Sequence, residues 1–489
     1  MTTALVRRLD ARLTADPRRV LARLFVPGHE LVTTTESRAT GVLGRVLALS
    51  DAAVTEMLAR LHRSYDGRHR DLADVFRRHH EQIAHRIPDG VRLTPERASL
   101  IGAVFTHEFS IEGAALFNPS AVVHPDQSGL ADGECRFVLS LRAVGEGHLS
   151  SVEFRTGVLG PDGALGLDDP GPHVEGGQPG ATTQARQPFA DLLREQGADT
   201  ESARFLLSKL PEHFGPADLD AALAGLAGQA VTRLGGARTE ELARQIARAS
   251  YQVVFDPASR LPERVLWPQT PAESRGIEDV RFVRFDDGGE VRYLATYTAF
   301  DGERIAPQLL ETADFRTFHA RALAGPAAKN KGLALFPRPV GGRYLALSRW
   351  DRENCWLAIS QDGLTWEHGG LLHAPAQPWE LIQTGNCGSP LETAAGWIVL
   401  THGVGPMREY AVGALLLDLD DPSRVIGVLP EPLLAPDADE RDGYVPNVVY
   451  SCGSLLAGDQ LLLPYGASDD SVRFAVVDVP ALLARLTGA

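Results

Sequence analysis

From Leu49 to Ile87 apolar residues recur at intervals of three and four: Val54, Met57, Leu58 and Leu61, then Leu72, Val75 and Phe76. That spacing gathers them on one face of an α-helix. Ser50 and Asp51 stand where an N-cap is needed, and arginines and histidines fill the opposite face. The pattern predicts a helical region over residues 1–110, whose charged face either meets solvent or serves an oligomer contact. After Ala114 the texture changes to short apolar runs separated by Gly, Pro and Asp: ALFNPSAVVH, CRFVLSLRAV, VRFVRF, YLATYTAF, RYLALSRW, WIVLTHGV and FAVVDV among them. Many short strands at close spacing predict a sandwich, barrel or propeller. Residues 185–250 interrupt them with helical patterns such as DLLREQG and TEELARQIARAS, and read as an insertion.

An internal repeat separates the all-β alternatives. Thr312-Ala-Asp314-Phe-Arg-Thr317-Phe318 returns as Ser360-Gln-Asp362-Gly-Leu-Thr365-Trp366, and the segments after them end on Pro326, Pro375 and Pro436. A period of about 50 residues is the size of one four-stranded propeller blade. The Asp is expected to hold a tight turn and the aromatic to pack between blades. With the insertion removed, the chain suffices for about five such blades. The expected fold is therefore an all-β, five-bladed β-propeller over residues 111–489, with an N-terminal α-helical region and a helical insertion.

The formal net charge of −15 argues against nucleic acid or an anionic membrane as partner. A local cluster of cations could still hold a small anion. The four cysteines, Cys135, Cys355, Cys387 and Cys452, form no CxxC pair and read as free thiols rather than a metal site. The arginines near the N-terminus precede no apolar core of a secretory signal. No run of about 18 apolar residues appears. A cytoplasmic protein without a metal cofactor is expected.

Charged residues inside apolar strands need a partner or a task. Glu278 and Asp279 in RGIEDVRFVRF are the first such candidates. Asp279 beside Arg281 reads either as a structural ion pair or as a general acid, whose pKa burial would raise. Asn118 precedes a proline, where a turn role and a sugar-binding role are both open. Arg142, Lys331, Arg349 and His402, with Tyr410 beyond, fall at the ends of expected strands. They are donors of the kind that hold phosphate. Asp469 follows LLLPYGAS as either a turn cap or a carboxylate for sugar hydroxyls. Trp350, Trp379 and Tyr297 suit either core packing or stacking on a sugar. No phosphate-cradling loop, dinucleotide fingerprint, HExxH or GxSxG signature is present.

Taken in order, ALFNPSAV, FVLSLRAVGEGHLSSVEFRTG, GIEDVRF, LATYTAF, KGLALFP, LSRWD, THGVG, GALLLDLDDPSRV, YVPNVVYSCG and YGASD resemble glycoside hydrolase family 130. The resemblance runs from about Glu112 to the C-terminus. It implies a five-bladed propeller and an inverting phosphorylase of β-mannosides, with inorganic phosphate as co-substrate and no cofactor. It places the proton donor at Asp279, acting through the O3 hydroxyl of the mannosyl unit. Phosphate binding falls on Lys331, Arg349, His402 and Tyr410, and sugar binding on Asn118, Arg142 and Asp469. The family commonly has Arg then Asn where this chain has Lys331 and Gly332. An inverting β-mannosidase is the alternative; it needs a second carboxylate to activate water, for which Glu112, Glu153 and Glu278 are available. A non-catalytic sugar-binding propeller is the third reading. A homo-oligomer through the N-terminal helices is also expected.

Overall fold

The computed structural model describes residues 5–27, 38–180, 182–227 and 233–488. The described residues of Met1–Ala15, Ala114–Pro170 and Gly176–Ala489 form one compact unit, and those of Asp16–Gly113 and Gly171–Glu175 another.

The smaller unit pairs strands Val20–Leu24 and Thr106–Ser110 antiparallel and carries helices Arg38–Leu47, Asp51–Tyr65, Leu72–Ile83 and Pro95–Val104. Ser50 accepts from the Ala53 N–H, the expected cap. Val54 and Leu58 turn inward with Leu43, Ile83, Leu100, Ile101 and Phe105, as the three-and-four spacing requires.

The larger unit consists of successive groups of antiparallel strands. Ala115–Val123, Cys135–Val144 and Ser150–Leu159 form the first. Gly276–Asp287, Glu290–Phe300, Ile305–Thr312 and Thr317–Ala322 form the second, tied to the first by one parallel bridge between Gly276 and Ser150. Ala334–Leu335, Tyr344–Ser348, Cys355–Ser360 and Glu367–His373 form the third. Gln383–Asn386, Gly396–Val404, Tyr410–Leu417 and Val425–Val428 form the fourth. The fifth joins Gln460–Ala467 and Ser471–Asp478 to Val6–Thr14 from the other end of the chain. Residues 6–14 are thus a strand, which corrects the helical reading of the first part of 1–110. None of these sheets closes on itself by hydrogen bonding among the described residues.

The groups pack face to face through separate apolar clusters. Val138 and Phe154 of the first meet Phe282 and Ala295 of the second. Phe285 of the second meets Ala346 and Trp366 of the third. Leu345 and Leu357 of the third meet Trp397 and Val399 of the fourth. Ile398 of the fourth meets Leu461 and Ala475 of the fifth, and Leu462 and Phe474 of the fifth meet Phe137 and Leu139 of the first. A cavity of about 770 Å³ is lined by Val122 of the first group and Phe282 of the second, with Pro337, Ser389 and Leu455.

The repeated motif does the same work twice. Asp314 Oδ1 accepts from the Arg316 and Thr317 N–H groups, and Asp362 Oδ1 from those of Leu364 and Thr365. Thr312 and Ser360 hydroxyls accept one turn earlier, and Phe318 and Trp366 are fully buried. Asp362→Ala leaves these donors to water and is expected to cost about 1 kcal/mol of stability, read as a lowered midpoint in chemical denaturation with activity retained.

The stretch over 185–250 carries helices Arg186–Glu195, Thr200–Lys209, Pro216–Ala227 and Arg233–Arg248 around Phe189, Leu193, Leu206, Phe214, Leu223 and Ile246. Two hydrogen bonds tie them to the strand groups: Glu195 accepts from the Gly325 N–H at 2.6 Å and Asp191 from the Thr365 hydroxyl of the second repeat turn at 3.2 Å.

Candidate active site

Asn118 and Asp279 occupy matching places on the first strands of two groups. In each strand the register with its neighbour skips, between Phe117 and Ser120 and between Glu278 and Arg281. Both residues take left-handed φ, 49° and 54°. Such bulges re-aim a side chain, and Asn and Asp bear the conformation at least cost. Asn118 Oδ1 is buried without a partner, a vacancy suited to a ligand hydroxyl.

Asp279 lies among cations from several strand groups. Arg142 and Arg281 approach its carboxylate oxygens at 4.0 Å each. Burial pushes its pKa up, but Lys331, Arg281, Arg142 and Arg349 outweigh burial and hold the carboxyl below its ordinary value. The raised pKa expected from burial alone is therefore corrected: without phosphate, Asp279 is ionised. Glu278 beside it is engaged on both oxygens, by Arg142 at 2.5 Å and by Lys331.

Arg281 is fully buried; it donates to the Asp279 carbonyl and to the Tyr450 hydroxyl at 2.7 Å each. Burial disfavours its charge, but the Tyr450 hydroxyl and the Asp279 carboxylate favour it and raise its pKa. The Tyr450 ring meets His402 edge-on at 5.0 Å, and Tyr410 stacks on His402 at 6.0 Å. His402 is fully buried, with no aligned hydrogen bond at either ring nitrogen. Burial, then Arg349 and Arg281, drive its pKa well below the ordinary value. It is thus a neutral imidazole among the cations Arg349 and Arg281.

Arg349 threads between two glycines. A Cβ on Gly385 would lie 2.0 Å from its Cδ, and one on Gly332 3.2 Å from it. Its Nη2 donates to the Arg352 carbonyl, and its Nε is buried without a partner. Asp469, at φ 50°, has a pKa raised to about 6, by burial first; Arg142 opposes the rise and Asp279 adds to it.

Of the eight residues singled out from the sequence, Lys331, Arg142 and Arg349 act on Asp279, Arg142, Asp279 and Lys331 on Asp469, and Arg349 on His402; Tyr410 stacks on His402, and the Asn118 amide lies 3.8 Å from Cys452 Sγ. Arg281 as a clamp between Asp279 and Tyr450 was missed. Tyr450 sits in an apolar strand run where nothing marks its hydroxyl. Two other carboxylates lie elsewhere: Glu112 pairs with Arg19 at 2.9 Å in the smaller unit, and Glu153 with Arg155 at 3.1 Å. Tyr297 is buried and donates to Glu273. Trp350 packs on Trp356 and His368, and a Cβ on Gly403 or Gly413 would strike Trp379 within 2.5 Å. The four cysteines are free, three of them buried, and burial pushes the Cys355, Cys387 and Cys452 thiols up to about 12. Among the described residues no group of three or more His, Cys, Asp or Glu side chains could hold a metal ion.

Comparison with known proteins gives a consistent result. A family model described as beta-1,4-mannooligosaccharide phosphorylase matches residues 248–487. A 1,2-beta-oligomannan phosphorylase of Thermoanaerobacter sp. (strain X514) is 34% identical over 243 residues, 48% of this chain and 80% of the relative. The chain belongs to glycoside hydrolase family 130. A beta-1,2-mannobiose phosphorylase of the same organism is 32% identical over 252 residues, 49% of this chain and 80% of that family 130 relative. A beta-1,4-mannooligosaccharide phosphorylase of Ruminococcus albus is 27% identical over 236 residues, 45% of this chain and 69% of the relative. The stretch matched by the family 130 model contains Asp279, Lys331, Arg349, His402, Tyr410 and Asp469; Asn118 and Arg142 precede it.

Proposed function

We propose that this protein is an inverting phosphorylase that cleaves β-mannosides with inorganic phosphate, giving α-mannose 1-phosphate and a shortened acceptor. The observation that carries the reading is the pair of carboxylates Asp279 and Glu278 outnumbered by the cations Lys331, Arg281, Arg142 and Arg349. A phosphate dianion completes that balance. Family membership and relatives named as phosphorylases support phosphorolysis over hydrolysis. So does Glu278, whose two oxygens are occupied by Arg142 and Lys331 and are poorly disposed to activate water.

Asn118, Arg142 and Asp469 hold the mannosyl unit; Lys331, Arg349, His402 and Tyr410 hold phosphate, His402 as a neutral donor. A phosphate oxygen attacks the anomeric carbon from the face opposite the leaving group. As the glycosidic bond breaks, the Asp279 proton passes through the mannosyl O3 hydroxyl to the departing oxygen. No second carboxylate is required, because the nucleophile is already an anion. We further propose that the five strand groups are blades of a five-bladed propeller, the catalytic domain being residues 111–489 together with the strand Val6–Thr14. The packing of each group on the next, and of the fifth on the first, supports this. Part of the proposal is that the protein works in the cytoplasm; the described residues include no helix long and apolar enough to cross a membrane. Another part is that it forms a homo-oligomer through its N-terminal helices, which light scattering of the full chain tests.

The deciding experiment incubates the enzyme with α-mannose 1-phosphate and mannose, glucose or N-acetylglucosamine as acceptor, and follows phosphate release. Release with one acceptor establishes the phosphorylase. Mannose released from β-mannooligosaccharides in phosphate-free buffer, with no phosphate release in the first assay, establishes the hydrolase instead. The 1,2-linked products are expected first, from the names of three relatives above 30% identity.

Asp469 gives this activity a pH signature. Its carboxyl titrates near 6 and must be ionised to accept from two sugar hydroxyls. The apparent kcat/KM for the mannoside is expected to fall as pH drops through about 6. Asp469→Asn is expected to lower kcat/KM at neutral pH and to remove that limb. An unchanged limb in the variant assigns it to another group.

A further inference from the structure

Two aromatic side chains beside this site serve neither the core nor the ion network. His148 lies in the turn that follows the Arg142 strand, closed by the Gly145 N–H donating to the Leu149 carbonyl at 3.0 Å. Tyr444 adjoins the turn that carries Asp469, since the next residue, Val445, donates its N–H to the Ser468 carbonyl at 2.9 Å. The two rings stack, with centroids 5.8 Å apart and planes 30° off parallel. The Tyr444 hydroxyl and His148 Nδ1 lie 3.4 Å apart. Both side chains are exposed, Tyr444 by 60%.

The backbone beneath this pair is firmly held. A Cβ on Gly443 would lie 2.6 Å from the Ser468 carbonyl oxygen, so Tyr444 enters from a segment pressed against the Asp469 turn. That segment is anchored by buried Glu440, which accepts from the Tyr465 hydroxyl at 2.6 Å and pairs with Arg8 at 3.1 Å. The Ser468 hydroxyl in turn donates to the Glu440 carbonyl. On the other side His148 has a left-handed φ of 59°, a strained conformation for a residue with a side chain. Apolar ring surface is thus fixed in water on a rigid support, with polar edges and two sugar-binding candidates alongside.

We infer that the stacked His148–Tyr444 pair is a platform for a second pyranose ring, the acceptor-side sugar of a β-mannooligosaccharide. The inference rests on the reading of the site as a β-mannoside phosphorylase. A pyranose offers an apolar C–H face to an aromatic ring and hydroxyl edges to the polar groups around it. Phosphate has no such face, and Arg349 and His402 come from other strand groups. The platform therefore acts on acceptor recognition and leaves phosphate alone.

The test measures equilibrium binding of β-1,2-mannobiose and mannotriose by calorimetry, alongside phosphorolysis kinetics, for the wild type, Tyr444→Ala, Tyr444→Phe and His148→Ala. Tyr444→Ala is expected to weaken mannotriose binding roughly five- to tenfold, with KM for phosphate and the melting temperature unchanged. Tyr444→Phe keeps the ring and most of the affinity. Wild-type affinity in Tyr444→Ala overturns the platform, even if phosphorolysis proceeds. An equal rise in the phosphate KM overturns it as well, since it marks a general disturbance of the site. Saccharide binding that depends on Tyr444, in an enzyme without phosphorolysis, upholds the platform and removes the phosphorylase reading. No saccharide binding by the wild type removes both.

Discussion

Asp279→Asn is expected to yield a folded protein whose phosphorolysis is slower by about 10²- to 10⁴-fold, the range for loss of a general acid. The fold survives because the neighbouring cations keep other partners. Arg142 and Lys331 retain Glu278, and Arg281 retains the Tyr450 hydroxyl and the residue 279 carbonyl. The catalytic loss follows because an amide cannot deliver the proton. An ionised carboxylate in the free enzyme is the wrong state for an acid, and phosphate changes that state. A dianion placed near Lys331 and Arg349 offsets two of the four charges that hold the Asp279 pKa down. Burial then prevails and the carboxyl takes up a proton as phosphate binds. Calorimetric titration with phosphate in two buffers of different ionisation heat measures that uptake. Wild type is expected to take up more protons than Asp279→Asn, the difference isolating this carboxyl from the titration of phosphate itself. Equal proton uptake in both proteins means that Asp279 stays ionised, and the donor role passes to another group.

How much of this was legible beforehand depended on how local each cause is. The Asp314 and Asp362 turns were readable because all their hydrogen bonds fall within a few residues. Asp279, Arg142 and His402 stood out as polar groups inside apolar strands, and the structure sets them in one network. The protonation states of Asp279 and His402 were not legible, because the cations that decide them come from different strand groups. Arg349 and Arg281 act on His402 from separate groups, so its neutrality is a property of the assembled sheets. The strand Val6–Thr14 was misread for a local reason. Val6, Leu9 and Leu13 are spaced by three and four, which mimics a helix. In the sheet, Leu9, Ala11 and Leu13 alternate onto one side, while Val6 packs on a different cluster. Three apolar residues over so short a span fit a helical turn as well as a strand.

Arg349→Ala is expected to raise the apparent KM for phosphate by roughly 10²-fold or more, as truncating a buried charged partner does, while mannobiose binding in the absence of phosphate stays near wild type. The side chain is well placed to meet an anion. It is 9% exposed, one Nη2 hydrogen bond to the Arg352 carbonyl fixes its end, and its Nε has no partner of its own. A phosphate oxygen supplies the missing acceptor, and the planar fork allows a second bond. Arg349→Lys keeps the charge without the fork and is expected to fall between the two. A stricter check leaves the arginine in place. Gly385 is the floor on which its stem lies, and a Cβ there would stand 2.0 Å from Cδ and 2.3 Å from Nε. The side chain has to move, because the floor is part of the strand Gln383–Asn386 and is paired to Gly396–Val404. Gly385→Ala is therefore expected to reproduce much of the phosphate defect with every proposed phosphate-binding residue still present. Normal phosphate KM in Gly385→Ala, with a defect in Arg349→Ala, shows that the charge acts from more than one position. Normal phosphate KM in both removes Arg349 from the phosphate site and leaves Lys331 as its remaining cation.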